Sequence, residues 1–117
     1  MRRGALYAPD GACVVPRVWR ATNPWDRMRG LLGRPMLGGD EALLIERCAS
    51  VHTVGMRYSL DIAFLDGEGR VCEVKRGVRP LRLAASRSAR ATLELAAGAA
   101  DALGLRLGTA LRWKEAA

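Results

Sequence analysis

The chain of 117 residues carries 19 Lys and Arg side chains against 12 Asp and Glu, a formal charge of +7, and half of its residues are hydrophobic. This length fits one domain, residues 1–117, and excludes a multidomain enzyme. No apolar run approaches the roughly 20 residues of a transmembrane helix, and a half-apolar chain of modest net charge is expected to fold.

The first predicted elements are a strand over residues 13–21 and a helix that follows it. Pro16 favours an edge position or a bulge for the strand. Thr22 or Asn23 is expected to cap the helix, with Pro24 at its first position and Gly33 at its end. Helical spacing places four apolar side chains on one face: Trp25, Met28, Leu31 and Leu32. Gly30 inside this helix indicates that another backbone packs closely there.

The rest of the chain has the pattern of a β-rich domain. Strands are expected at residues 42–45, 60–65, 70–75, 91–95 and 110–113, and a short helix at residues 99–103. The pattern predicts a mostly β (α+β) fold, a compact β-barrel-like single domain of short strands with one or two small helices.

The strongest local signal is a β-hairpin around the turn residues 66–69. A four-residue loop would pair Leu65 with Arg70 and Asp61 with Val74, which brings Asp61 near Arg76 at the open end of the hairpin. Alternation would then place four side chains on one face: Leu60, Ile62, Phe64 and Val71.

Three cysteines (13, 48 and 72) form an odd set without the spacing of a disulfide framework. Residues 1–12 lack the apolar core of a secretion signal, so a cytoplasmic location is expected. Neither a phosphate-binding glycine loop nor a set of closely spaced metal ligands is present, and we predict no cofactor and no metal site.

His52 is the one histidine, so any Ser-His-Asp or Cys-His mechanism would depend on it. No nucleophile-elbow motif surrounds a serine, which favours a partly buried histidine bonded to the backbone. Asp61 and Glu94 stand in otherwise apolar strands, and buried acids need partners, which Arg57, Arg76 or Arg90 could provide. Two interpretations remain open. The acids form structural ion pairs, or they line a polar cavity with His52 and Arg57.

The segment 75–90 holds six cations and no acid, as a polyanion-binding surface would. It contains no aromatic side chain for base stacking, and Pro80 argues against a continuous helix laid in a groove. A solvated, partly ion-paired segment is the favoured interpretation, with nucleic-acid binding as the alternative.

Three ordered motifs resemble domain-of-unknown-function family 192, a group of small uncharacterised bacterial and archaeal proteins. Residues 51–66 (VHTVGMRYSLDIAFLD) resemble the family's central signature, and residues 29–34 (RGLLGR) resemble its R-G-L-M-x-R helix. Residues 93–98 (LELAAG) with Leu103, Gly104, Leu105 and Gly108 resemble its ending, although Thr109 replaces a common Asp. The resemblance covers about residues 14–113 and implies a compact β-rich barrel with a small helix. It implies no activity, and exported relatives make the periplasm the alternative compartment.

The leading hypothesis is a non-catalytic binding or accessory domain for a small ligand or a protein partner. Its predicted binding residues are His52, Arg57, Asp61, Glu94 and Arg76. A small enzyme that uses His52 and Asp61 on an anionic substrate is the first alternative, and a polyanion binder that uses residues 75–90 is the second. No membrane span and no particular oligomeric state is predicted.

Overall fold

The alternating apolar residues of the chain form nine strands and two short helices in a computed structural model that describes residues 1–117. In chain order, the strands are β1 (Arg2–Tyr7), β2 (Cys13–Ala21), β3 (Glu41–Glu46), β4 (Ser50–His52), β5 (Leu60–Leu65), β6 (Val71–Val78), β7 (Leu83–Ala85), β8 (Ala91–Ala96) and β9 (Arg112–Glu115). The helices are α1 (Pro24–Arg29), between β2 and β3, and α2 (Ala99–Ala102), between β8 and β9. Neither helix has the length and apolar character needed to cross a membrane.

Seven strands form one mixed sheet in the order β6-β5-β8-β3-β2-β1-β9, and β4 pairs with β7 in a separate two-stranded sheet. All pairs are antiparallel except β2 with β3, which run parallel and are connected in the chain by α1. Strand pairing does not close the sheet, so the barrel-like form expected from the sequence is not confirmed. The segment that precedes β9 nevertheless contacts the start of β6. The Val71 N–H donates to the Thr109 carbonyl and its carbonyl accepts from the Gly108 N–H, both at 2.8 Å, and Arg70 forms an isolated bridge with Ala110.

Two apolar cores lie on the two faces of the large sheet. One contains Leu93 and Leu95 of β8 together with residues of α2. The other contains Leu60, Ile62 and Phe64 of β5. Leu31, in the turn after α1, and Val51 of β4 belong to this core as well. The central strands β5, β8 and β3 are therefore covered on both sides, which explains their nearly continuous apolar sequence.

Pro16 lies in an interior strand, because β2 has β1 on one side and β3 on the other. The predicted edge position is therefore wrong, and the predicted bulge is present. Leu6 of β1 pairs with Val15 while Gly4 pairs with Val18, so two residues of β2 oppose one residue of β1. A bulge leaves a residue outside the regular ladder and so tolerates a proline that donates no hydrogen bond.

Helix α1 is shorter than predicted and its predicted apolar face is largely exposed. The Asn23 side chain accepts from the Asp26 N–H as the expected cap. The helix ends at Arg29, because Gly30 takes a φ of +55°. Leu31 is buried, whereas Trp25 and Met28 are 80% and 75% exposed. The positive φ, rather than a closely packed backbone, accounts for the glycine.

The hairpin of β5 and β6 forms as expected but in a different register. Val71 rather than Arg70 lies opposite Leu65, and Ala63 rather than Asp61 lies opposite Val74, with irregularities near both ends. Val71 consequently packs with the core that contains Leu93, not with Leu60, Ile62 and Phe64. Asp66 contributes to the shift, because its N–H donates to the Arg70 carbonyl and its side chain accepts from the Arg70 N–H. The two residues therefore lie opposite each other and close a loop over residues 67–69.

The Asp61 side chain is 1% exposed and joins three segments through backbone hydrogen bonds. One carboxylate oxygen accepts from the Gly77 N–H at 2.9 Å. The other accepts from the N–H groups of Gly98 and Ala100, both at 3.0 Å. Asp61 thus caps α2 from a distant strand, and its partners are backbone groups rather than the arginines proposed from the sequence.

Replacing Asp61 with Ala should lower the free energy of unfolding by about 1–3 kcal/mol or more, because the buried Ala100 N–H loses its acceptor, which costs about 1–3 kcal/mol, and the bonds to the exposed residues Gly77 and Gly98 are lost as well. Urea denaturation followed by circular dichroism measures the change. Asp101→Ala is the matched control, since that exposed carboxylate pairs only with Arg76 and surface pairs contribute little. An equally small loss in the two variants would contradict this role of Asp61.

Candidate functional site

A cavity of about 250 Å³ opens between α1, β4 and the sheet face that carries Glu94. Helix α1 and the turn after it form one wall, and β4 with the following loop forms the other. Most of the lining is apolar. The side chains of Met28, Leu32, Ile45, Val54, Met56 and Leu60 contribute to it.

Glu94 lies at the base of this cavity and is 5% exposed. It belongs to β8, between Leu43 of β3 and Ile62 of β5. Burial raises the pKa of its carboxyl to about 7, with no hydrogen bond or ion pair to offset the effect. Arg27 and Arg29 also line the cavity but form no ion pair with Glu94. Near neutral pH the group can therefore either donate or accept a hydrogen bond.

Gly30 covers one side of the Glu94 carboxyl. A Cβ at Gly30 would lie 3.7 and 3.9 Å from the two carboxylate oxygens. Its φ of +55° belongs to the region that favours glycine. The turn that ends α1 therefore places a backbone segment without a side chain next to the Glu94 carboxyl. Any larger residue here would strain the turn and occupy space beside the carboxyl.

Tyr58 is the second buried polar group beside Glu94. Its hydroxyl is buried without a hydrogen-bond partner. Burial raises the pKa of Tyr58, and the nearby charge of Glu94 raises it further. The Tyr58 hydroxyl is therefore a buried polar atom without a partner, an unusual feature of a folded interior, and the charge of Glu94 acts on it.

His52 is exposed, which contradicts the expected partly buried histidine bonded to the backbone. It lies at the end of β4, lines the cavity together with Glu94 and pairs across the small sheet with Leu83. Cys48 also lines the cavity, and its thiol donates to the Ser50 carbonyl at 2.9 Å. The structure thus brings His52 and Glu94 to one cavity without a nucleophile bonded to the histidine.

Arginines attach α1 to the rest of the domain through backbone carbonyls. Arg27 donates to the carbonyls of Glu46 and Arg47 at 2.9 and 3.0 Å. Arg29 and Arg34 donate to carbonyls in the turn after the helix, at Leu32 and Gly30, both at 2.8 Å. The guanidinium groups therefore hold the wall of the cavity in place.

The remaining predicted site residues do not line this cavity. Alternation along β5 and β8 places Asp61 on the face of Leu95, opposite the face of Glu94. Arg76 forms an exposed pair with Asp101, and Arg57 is exposed beside an adjoining cavity that Tyr58 also lines. The single polar cluster expected from the sequence is thus divided, because neighbouring strand residues point to opposite faces.

Sequence reasoning missed Tyr58, Gly30 as a neighbour of Glu94 and the exposed side chains around the cavity. The alternation of Leu93, Glu94 and Leu95 already indicated that Glu94 faces away from its two leucine neighbours. Nothing in the sequence indicated that α1 would lie above this face. No group of three or more His, Cys, Asp and Glu side chains is arranged to hold a metal ion.

A family model and two solved structures match the chain. The model of DUF192, described as an uncharacterised family, matches residues 6–113. A protein of unknown function from Novosphingobium aromaticivorans DSM 12444 shares 24% identity over 95% of this chain and 84% of its own, with a TM-score of 0.80. A Sinorhizobium meliloti 1021 protein, provisionally named a transcription regulator, shares 24% identity over 96% and 92%, with the same TM-score. At this identity the likeness shows the fold alone. No curated protein matches the chain.

Stability should fall as the pH rises from about 4.5 to about 7, because the Glu94 carboxyl ionises in the unfolded chain while the folded chain retains its proton. Below this window both states are protonated. Above it the penalty is constant at about 3 kcal/mol, the equivalent of the pKa difference. Glu94→Gln removes the titration, so its advantage in unfolding free energy over the parent should grow across this window. Urea denaturation at pH 4, 5.5 and 8 measures it, and a constant difference would refute the assignment.

Proposed function

The chain belongs to the DUF192 family, whose function is unknown, and from this starting point we propose that it is a small non-catalytic binding domain. Its cavity receives a group with an apolar body and a hydrogen-bond donor, which is placed against Glu94. The observation that carries the proposal is the Glu94 carboxyl, buried at the base of a cavity with no hydrogen bond and no ion pair to stabilise it.

An unpartnered buried carboxyl destabilises the fold, since desolvation of its charged form is not offset. A perturbed acid that lies in a cleft is a candidate for function. A ligand that donates a hydrogen bond would supply the missing partner and would favour the ionised form. Binding should therefore lower the pKa of Glu94.

The volume of the cavity limits what can enter. At about 250 Å³ it is smaller than the roughly 300–1,000 Å³ of pockets that enclose drug-sized molecules. The occupant is accordingly a small molecule or one side chain of a larger partner. Apolar walls from Met28, Ile45 and Leu60 favour an apolar body, with the donor at its inner end.

The enzyme alternative has less support. Asp61 already accepts three backbone hydrogen bonds and does not line the cavity, so it is not available to orient His52. The Cys48 thiol bonds to a carbonyl rather than to His52. A nucleophile within reach of its base, which covalent catalysis requires, is thus missing from the cavity.

The probe pair 4-methylphenol and toluene, which differ by one hydroxyl group, tests the proposed function. We expect 4-methylphenol to bind at least about fivefold more tightly, since one hydrogen bond contributes about 1 kcal/mol. Amide chemical-shift titration gives both affinities and should show the largest changes at Gly30, His52 and Glu94.

Glu94→Leu should abolish the preference for the phenol, and Asp101→Asn, which changes an exposed acid outside the cavity, should retain it. Equal binding of the two probes, or a preference that survives in Glu94→Leu, would disprove the proposed role of Glu94. Absence of binding by either probe would disprove the binding cavity itself.

A further inference from the structure

Exposed apolar side chains are concentrated in the segments that form the cavity walls and in the strand and loop next to β4. Six of the nine large apolar side chains that the fold leaves exposed belong to these segments, and we call this set the apolar rim: Trp25, Met28, Leu32, Val54, Leu81 and Leu83. Met28, Leu32 and Val54 line the cavity directly. Leu83 lies beside His52 on the same face of the small sheet, because the two residues form a cross-strand pair. Apolar side chains concentrated around a cavity mark an interaction surface.

Arginines without acidic partners border the apolar rim. They are Arg47, Arg57, Arg79 and Arg82, and none takes part in an ion pair of the structure. Residues 47–60 and 74–93 contain no Asp or Glu, so both strands of the small sheet and their loops contribute only positive charge. In the basic segment that the sequence singled out, Lys75 and Arg76 pair with Glu73 and Asp101, and these pairs neutralise only its first two cations.

Strand β4 has a free edge. Its only strand partner is β7, toward which Thr53 donates to the Arg82 carbonyl at 2.9 Å and the Ala49 carbonyl accepts from Ser86 at 3.0 Å. Because alternate residues of an antiparallel strand bond to the same side, the backbone groups of Ser50 and His52 face away from β7. The Ser50 carbonyl accepts from the Cys48 thiol, so the Ser50 N–H and both backbone groups of His52 remain for a partner strand. Both residues line the cavity, so the free edge and the cavity adjoin.

We propose that this surface binds an extended acidic segment of a partner protein, which pairs with the free edge of β4 and inserts a Tyr or Trp side chain into the cavity. The inference rests on the proposed function of the cavity and names its partner. Strand addition uses backbone hydrogen bonds for affinity and side-chain pockets for specificity.

Each part of the proposed acidic segment is complementary to one feature of the surface. Acidic side chains complement the four arginines and steer the encounter. A Tyr or Trp side chain has an apolar body and one polar hydrogen that needs an acceptor when buried, and Glu94 is that acceptor. Aromatic anchors in desolvated pockets commonly dominate the energy of an interface. A second copy of this chain fits less well, since two such basic surfaces would repel each other.

A phage-displayed library of random 12-residue peptides, selected on the immobilised full chain, tests the proposal. We expect enrichment of peptides with several acidic residues and one Tyr or Trp. The synthetic peptide with the most enriched sequence should bind more weakly as salt concentration rises. Its variant with Phe at the aromatic position should lose affinity toward the parent chain but not toward Glu94→Leu.

Matched substitutions in the domain locate the surface. Two double variants are made: one combines Arg57→Glu with Arg82→Glu, and the other combines Trp25→Ser with Met28→Ser. Each should lower the affinity for the peptide by at least about tenfold, the scale of an interface hot spot. Arg106→Glu and Leu107→Ser are the controls, since both side chains are exposed away from the cavity. They should leave affinity unchanged, and thermal denaturation verifies that every variant is folded.

Four outcomes would overturn the proposal. They are no enrichment, enrichment of basic peptides, binding to phosphatidylglycerol vesicles that the same substitutions abolish, and a concentration-dependent dimer of the free chain. If 4-methylphenol binds in a Glu94-dependent way while no acidic peptide does, only the partner is wrong. If neither the probe nor a peptide binds, the proposed function fails as well.

Discussion

Three segments distant in sequence meet at the carboxylate of Asp61, and the arrangement of the sheet depends on this contact. Its oxygens accept from Gly77 at the irregular end of β6, from Gly98 in the turn after β8 and from Ala100 in α2. Charge-assisted bonds to backbone N–H groups are strong, and here they hold an edge hairpin to the centre of the sheet. Asp61 and Glu94, two acids that look alike in the sequence, therefore have opposite roles. Asp61 is fully bonded and structural, whereas Glu94 is without a partner and open to a cavity.

Most of the strands could be predicted from the sequence because their signal is local. The bounds of β5 follow from a nearly continuous apolar run that ends at the turn residues Asp66 and Gly67, and Asn23 is the cap of α1 as expected. The register of the hairpin could not be predicted, since the Asp66 side chain and the irregularities of β6 shift it by contacts outside the apolar pattern. The exposed face of α1 is a tertiary effect, because only Leu31 in the turn after the helix reaches the core.

The candidate site shows the same limit. Both acids and the single histidine stood out by type, but the register between β5 and β8, which places Asp61 opposite Leu95, was needed to separate Asp61 from Glu94. Which of them would lack a partner depends on what covers each face, and α1 with its glycine turn covers the side of Glu94. Arg29 and Arg34 of the RGLLGR motif bond to backbone carbonyls and fix that cover.

The parallel pair of β2 and β3 has a consequence for how binding could diversify on this fold. Helix α1 follows the carboxyl end of β2, and β4 follows that of β3, so the walls of the cavity are connections beyond the strand ends. Ligand sites of open α/β sheets occupy the same position. Residues 24–37 and 47–59 thus form the walls of the cavity, while β8 supplies Glu94. Because Leu31, Leu37 and Val51 of these segments also belong to the core, new specificity would arise from substitutions at the exposed wall positions Met28, Leu32 and Val54, with the sheet and the core retained.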